Sequence, residues 1–106
     1  MSQIKAAIID TISSIEQTTT YFYQQKNQEG FSLLNDLMNK LIQATNIILT
    51  YKSDQMAAIR EVEWNTLLVN AMKAMEEKDT ILLSDILIYD IKGFLEEIIK
   101  EIDNVK

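Results

Sequence analysis

Apolar residues return along this chain at spacings of three and four, in four stretches separated by short polar breaks. An α-helix needs that period to line up a buried seam on one side. Over residues 3–27 the seam is Ile4, Ile8, Ile12, Ile15, Thr19 and Phe22. The run Thr18-Thr19-Thr20-Tyr21-Phe22-Tyr23 has strand propensity, but a single strand would have no partner, so it reads as helix. Gly30, after the polar run Lys26-Asn27-Gln28-Glu29, is the expected stop.

A second helix is expected from Ser32, its N-cap. Leu34, Leu37, Leu41, Ala44, Ile48 and Tyr51 alternate spacings of three and four, the clearest helical signal in the chain. It breaks at Lys52-Ser53-Asp54, where Ser53 caps a third helix over about 54–77. Ala57, Trp64, Leu68, Ala71 and Met75 share one face there, with Leu67 and Ala74 beside it. Glu76-Glu77-Lys78-Asp79 makes a turn, and Asp79 or Thr80 caps a fourth helix over about 80–103. Its apolar face holds Leu83, Leu87, Ile91, Phe94, Leu95, Ile98 and Ile102, widened by Ile88 and Ile99. Asp85, Lys92, Glu96, Lys100 and Asp103 lie opposite, and Lys92, Glu96 and Lys100 are spaced for i,i+4 pairing.

Short links between helices of similar length favour antiparallel neighbours. The fold class is therefore all-α, an antiparallel up-down four-helix bundle forming one domain over residues 1–106. The competing topology, two very long helices with one hairpin near Ser53, is opposed by Gly30 and by the 76–79 turn.

Composition agrees and removes several chemistries. There is no Pro and there are only two Gly, Gly30 and Gly93, so little is available for the many turns of a strand-rich fold. The absence of Cys excludes disulfides and thiolate sites, and the absence of His removes the commonest general base and metal ligand. Net charge is −6, placed unevenly: residues 1–53 carry four acids and four bases, residues 54–106 twelve acids and six bases. An acidic domain repels phosphate backbones and anionic lipid, so no nucleic-acid or membrane partner is expected. The N-terminal apolar run is too short for a signal peptide, and no uncharged stretch approaches the roughly 18 apolar residues of a membrane span, so a cytoplasmic protein is expected.

The remaining candidate catalysts are carboxylates, Lys, Tyr and hydroxyls. The acidic clusters are Glu61/Glu63, Glu76/Glu77/Asp79 and Glu96/Glu97/Glu101/Asp103. The all-α nucleotide pyrophosphohydrolases hold Mg²⁺ on an E-E-x-x-E element followed by E-x-x-D. Here Glu96-Glu97-Ile98-Ile99 is followed by Lys100 and no second element lies downstream, so the clusters read as solvated helix faces. Di-iron bundles need Glu-x-x-His pairs, which a His-free chain lacks. Neither Gly belongs to a phosphate loop. No catalytic residue, metal ligand or cofactor is assigned.

One pattern exceeds what a bundle requires. Leu82, Ile86, Tyr89 and Gly93 form a second line on the fourth helix, spaced four, three and four, within its otherwise polar half. Three apolar side chains and a Gly permitting close approach suit a partner's amphipathic helix or a homodimer seam. Equally, a central fourth helix would bury this line against a second neighbour. Met56, Met72 and Met75 cluster with Trp64 on the third helix, as filling for the core or as an adaptable surface.

The segment from Met75 to Ile91, MEEKDTILLSDILIYDI, resembles a helix–turn–helix segment of small bacterial proteins from flagellar and motility gene clusters. In length, helicity and lack of Cys, the whole chain is similar to the flagellar export chaperones. That resemblance implies a helical bundle that holds an export substrate's amphipathic helices against an apolar groove. The Trp-x-Gly turn of small secreted helical-hairpin proteins is missing, since Asn65-Thr66 follows Trp64. The expected function is a non-catalytic protein-binding module of chaperone or adaptor type. The alternatives are a self-associating structural bundle and a Mg-dependent carboxylate enzyme.

Overall fold

The computed structural model describes residues 2–50 and 56–104, with side chains over 3–48 and 61–101. Among these the chain forms four helices and no strand. They are α1 (Ser2–Tyr23), α2 (Asn27–Thr50), α3 (Met56–Glu76) and a composite α4. Helix α4 begins as Thr80–Asp85, widens into a π-helical turn at Ile86–Ile91 and resumes as Lys92–Asn104. Lys92 N–H donates to the Leu87 carbonyl, the i→i−5 bond that defines the wider turn. The antiparallel bundle expected from the sequence is the fold observed. The expected break at Lys52-Ser53-Asp54, Ser53 as a cap, and the side chains of Tyr51, Met56, Ala57 and Ile102 lie outside the described residues.

The seams read from the sequence form the core. Ile8, Ile15, Thr19 and Phe22 of α1, and Leu34, Leu37, Leu41, Ala44 and Ile48 of α2, are all buried. So are Trp64, Ala71 and Ala74 of α3 and Leu83, Leu87, Ile91, Phe94, Leu95 and Ile98 of α4. Trp64 pins three helices together: its Nε1–H donates to Thr45 Oγ1 on α2 at 2.8 Å, and its ring stands 5.2 Å from that of Phe94 on α4. Helix α4 is central, packed on α1 and α3, while α2 rests mainly on α1 and touches α3 sparingly. The strand-prone threonines lie within α1, where Thr18 and Thr19 are buried and the Thr19 and Thr20 hydroxyls donate to the Ile15 and Glu16 carbonyls at 2.8 and 2.7 Å.

The helix limits correct two expectations. Helix α1 ends at Tyr23, and the left-handed residue closing it is Gln25, with φ 61°. Gln25 N–H donates to Phe22 O and Lys26 N–H to Tyr21 O, the paired bonds of a Schellman end. Gly30 therefore stops nothing and lies inside the first turns of α2, where a Cβ would meet Phe22 Cε1 at 2.6 Å. Glycine is there for close approach, not for its backbone freedom. Nor is Ser32 the N-cap, since α2 begins at Asn27 and the Ser32 hydroxyl donates to the Glu29 carbonyl at 2.7 Å. The α3–α4 turn repeats the Schellman arrangement with Lys78 at φ 55°, and Asp79 caps α4 by accepting from Leu82 N–H at 3.0 Å.

Polar contacts made by Lys40, Lys92 and Tyr23 tie α1 to its neighbours. Lys40 of α2 reaches Asp10 at 3.1 Å and donates to Ser14 Oγ at 2.7 Å, with Asp36 at 3.3 Å beside it. The hydrogen bond to Asp10, then the contacts with Asp36, hold the Lys40 ammonium above its usual range. Lys92 bonds Glu16 across the α1–α4 interface at 3.1 Å, a longer-range partner than the i,i+4 neighbours its spacing suggested. Tyr23 Oη donates to Asp85 at 2.6 Å.

Candidate functional site

An open groove of about 520 Å³ runs between α3 and α4. Its α3 wall is Val62, Glu63, Thr66 and Leu67, and its α4 wall is Tyr89, Asp90, Gly93, Phe94 and Glu97. On both walls these positions recur three or four apart, so each helix offers a ridge along its length. Tyr89 belongs to the π turn, and Gly93 follows it one turn later. Apart from its chain neighbours and its own helix backbone, no described atom lies within 4 Å of where a Gly93 Cβ would stand, so the backbone is open on that side.

The floor is apolar and anchored. Phe94 is buried against Trp64, and Leu67 is partly buried on the same core. Above it Val62 and Tyr89 stand 66% and 73% exposed, among the most exposed large apolar side chains described. Thr66 is internally satisfied, donating to the Val62 carbonyl at 3.0 Å. The rim carries three carboxylates, Glu63, Asp90 and Glu97, and no basic residue among the described ones lines the groove.

The line Leu82, Ile86, Tyr89, Gly93 divides on this surface. Tyr89 and Gly93 come together in the groove. Leu82 is 44% exposed but lines no wall of it, and Ile86 is 8% exposed and belongs to the core. On the helical wheel Ile86 flanks the main apolar face, and the π turn in which it sits packs on both α1 and α3. Val62, Leu67 and Phe94 complete the site from outside the line. Val62 had a sequence signal: with Val69 it makes a pair seven residues apart, off the main seam of α3.

A model of a domain of unknown function, DUF8042, matches residues 1–101, and so spans all four helices. The chain belongs to the DUF8042 family. No curated protein and no solved structure matches it.

Elsewhere in this DUF8042 domain the acidic clusters do not converge. Among the described residues no three carboxylates stand close enough to share a metal ion, and no helix is long and apolar enough to cross a membrane. The methionines of α3 lead to a second concavity. Met72 and Met75 face Met38 and Ile42 of α2 across a cleft of about 260 Å³, floored by Leu83 and Leu87 of α4. It lies between α2 and α3, which touch only sparingly. Among the described residues Tyr23 is the acid whose proton is held most abnormally. Partial desolvation, then the hydrogen bond to Asp85 and the nearby Asp85 and Tyr89 groups, push its phenol well above the usual range.

Proposed function

We propose that this DUF8042 domain is a non-catalytic protein-binding module, taking the apolar face of an amphipathic helix into the α3–α4 groove. The carrying observation is the juxtaposition of exposed Val62 and Tyr89 with the open Gly93 backbone over a buried aromatic floor. Helix-in-groove recognition needs those elements: an apolar trough, rigid walls and room for close backbone approach. The Glu63 and Asp90 carboxylates of the rim favour a helix whose apolar face is flanked by Lys or Arg, because complementary charge speeds encounter and fixes register. The format shared with flagellar export chaperones makes a helix of an exported subunit, bound in the cytoplasm before export, the first partner to try.

The test is fluorescence anisotropy with a labelled amphipathic peptide carrying a Leu/Ile face and flanking lysines. Binding is expected to weaken at least tenfold in Tyr89→Asp and in Gly93→Leu, and to survive Leu82→Asp. Equal binding by all four proteins, or none by the wild type, would remove the groove from this role. Light scattering alongside separates a self-associating bundle: a stable dimer, lost in Gly93→Leu, would make the groove a seam between copies.

A further inference from the structure

The cleft between α2, α3 and α4 differs from the α3–α4 groove in size and chemistry. It encloses about 260 Å³, half the volume of the groove, and no charged side chain among the described residues lines it. Among the described residues that line it, the one polar side chain is Thr45. That hydroxyl donates to the Leu41 carbonyl at 2.8 Å and accepts the Trp64 Nε1–H at 2.8 Å, so its proton is committed. A ligand seated there meets no ionic partner and no free donor. Burying a charge or an unmatched polar group against such a wall is strongly unfavourable.

Size restricts the occupant further. The enclosed space is about 260 Å³. It exceeds the roughly 150 Å³ apolar cavity that stays dry and accepts benzene. The walls are adaptable, because Met38, Met72 and Met75 are unbranched thioethers that repack around varied shapes. The floor is fixed, since Leu41, Ala71, Leu83 and Leu87 are buried. Ile42 and Met72 are 59% and 51% exposed, which leaves a way in.

We propose that this methionine-walled cleft is a binding site for a small, uncharged, largely hydrocarbon molecule of roughly ten carbon atoms. Any polar end of such a molecule stays outside, at the Ile42–Met72 mouth. The site is independent of the groove and does not require a protein partner.

Naphthalene is a suitable probe, with protein labelled at the methionine methyl groups and followed by NMR. The Met38, Met72 and Met75 methyl signals are expected to shift saturably. Charged 2-naphthoate is expected to bind at least tenfold more weakly. Ala71→Leu, which fills the cleft from its floor, and Ile42→Trp, which roofs it from an exposed position, are each expected to weaken naphthalene binding at least tenfold. Gly93→Leu, in the separate groove, should leave it unchanged. If Ala71→Leu fails to fold, Ile42→Trp decides alone. The absence of saturable shifts, unaltered binding in a folded cleft variant, or equal affinity for 2-naphthoate would overturn the proposal.

Discussion

Gly30 lies against the ring of Phe22 so closely that a β-carbon there would stand 2.6, 2.7 and 2.9 Å from three ring atoms. The ring cannot retreat easily: Phe22 is fully buried and meets Phe31 edge-on at 5.1 Å. Gly30→Ala sets a helix-propensity gain of about 1 kcal/mol against an overpacking cost of about 1–3 kcal/mol. The variant is expected to be less stable by about 1 kcal/mol in urea titration. Gly93→Ala meets nothing and is expected to gain about 0.5–1 kcal/mol, so the two glycines should move stability in opposite directions.

Thr18 and Ser84 are fully buried, and their hydroxyls find no hydrogen-bond partner among the described residues. A buried unsatisfied hydroxyl costs about 1–3 kcal/mol. Ser84→Ala and the near-isosteric Thr18→Val are expected to raise the thermal midpoint, each by a gain of about 1 kcal/mol. A loss of similar size in calorimetry would show that these hydroxyls are hydrogen-bonded in solution.

Tyr23 and Lys40 set an alkaline limit. Both hold their protons more tightly folded than unfolded, where Tyr titrates near 10.0 and Lys near 10.5. As pH rises through 10 the unfolded chain releases these protons first, so the stability they supply is complete below that pH and declines above it. The melting midpoint is expected to stay level from about pH 7 to 9 and then fall, and Tyr23→Phe should shallow the fall. An unchanged slope in Tyr23→Phe would assign the decline to Lys40 and other bases.

Trp64 is the only Trp and is fully buried. Its emission is expected well to the blue of free Trp, with poor quenching by acrylamide. Trp64→Phe removes the bond to Thr45 and part of the ring volume shared by three helices, and is expected to cost about 1–3 kcal/mol.

The helices were legible wherever burial alone decides spacing. The α2 seam from Leu34 to Ile48 could be taken directly from its alternation of three and four, and Asp79 was one of two caps, with Thr80, that side-chain chemistry offered. Gln25 was not legible as a helix end, because its left-handed backbone is imposed by Schellman bonds rather than preferred by the side chain. Gly30 was misleading for the complementary reason, since its role depends on a ring eight residues earlier. Two residues of the groove's α4 wall, Tyr89 and Gly93, came from the sequence. The other wall required knowing that α3 is the neighbour, which apolar seams of similar chemistry do not specify. The π turn did leave a trace: Leu83, Leu87, Ile91 and Leu95 are spaced by four three times in succession. A regular helix turns about 40° past alignment at each such step, whereas a wider turn keeps the row on one face.

Within Ile86–Ile91 the backbone takes up more residues per turn than an α-helix does, while the flanking segments keep their own contacts with α1 and α3. Elsewhere in a packed helix, loss of one residue rotates everything beyond it by about 100° and drives apolar side chains into water. Here the shortened chain has a regular α-helical turn available to it, and the two flanks can keep facing the neighbours they already have. The π turn is thus the place in the bundle where chain length itself can change by one residue at least structural cost.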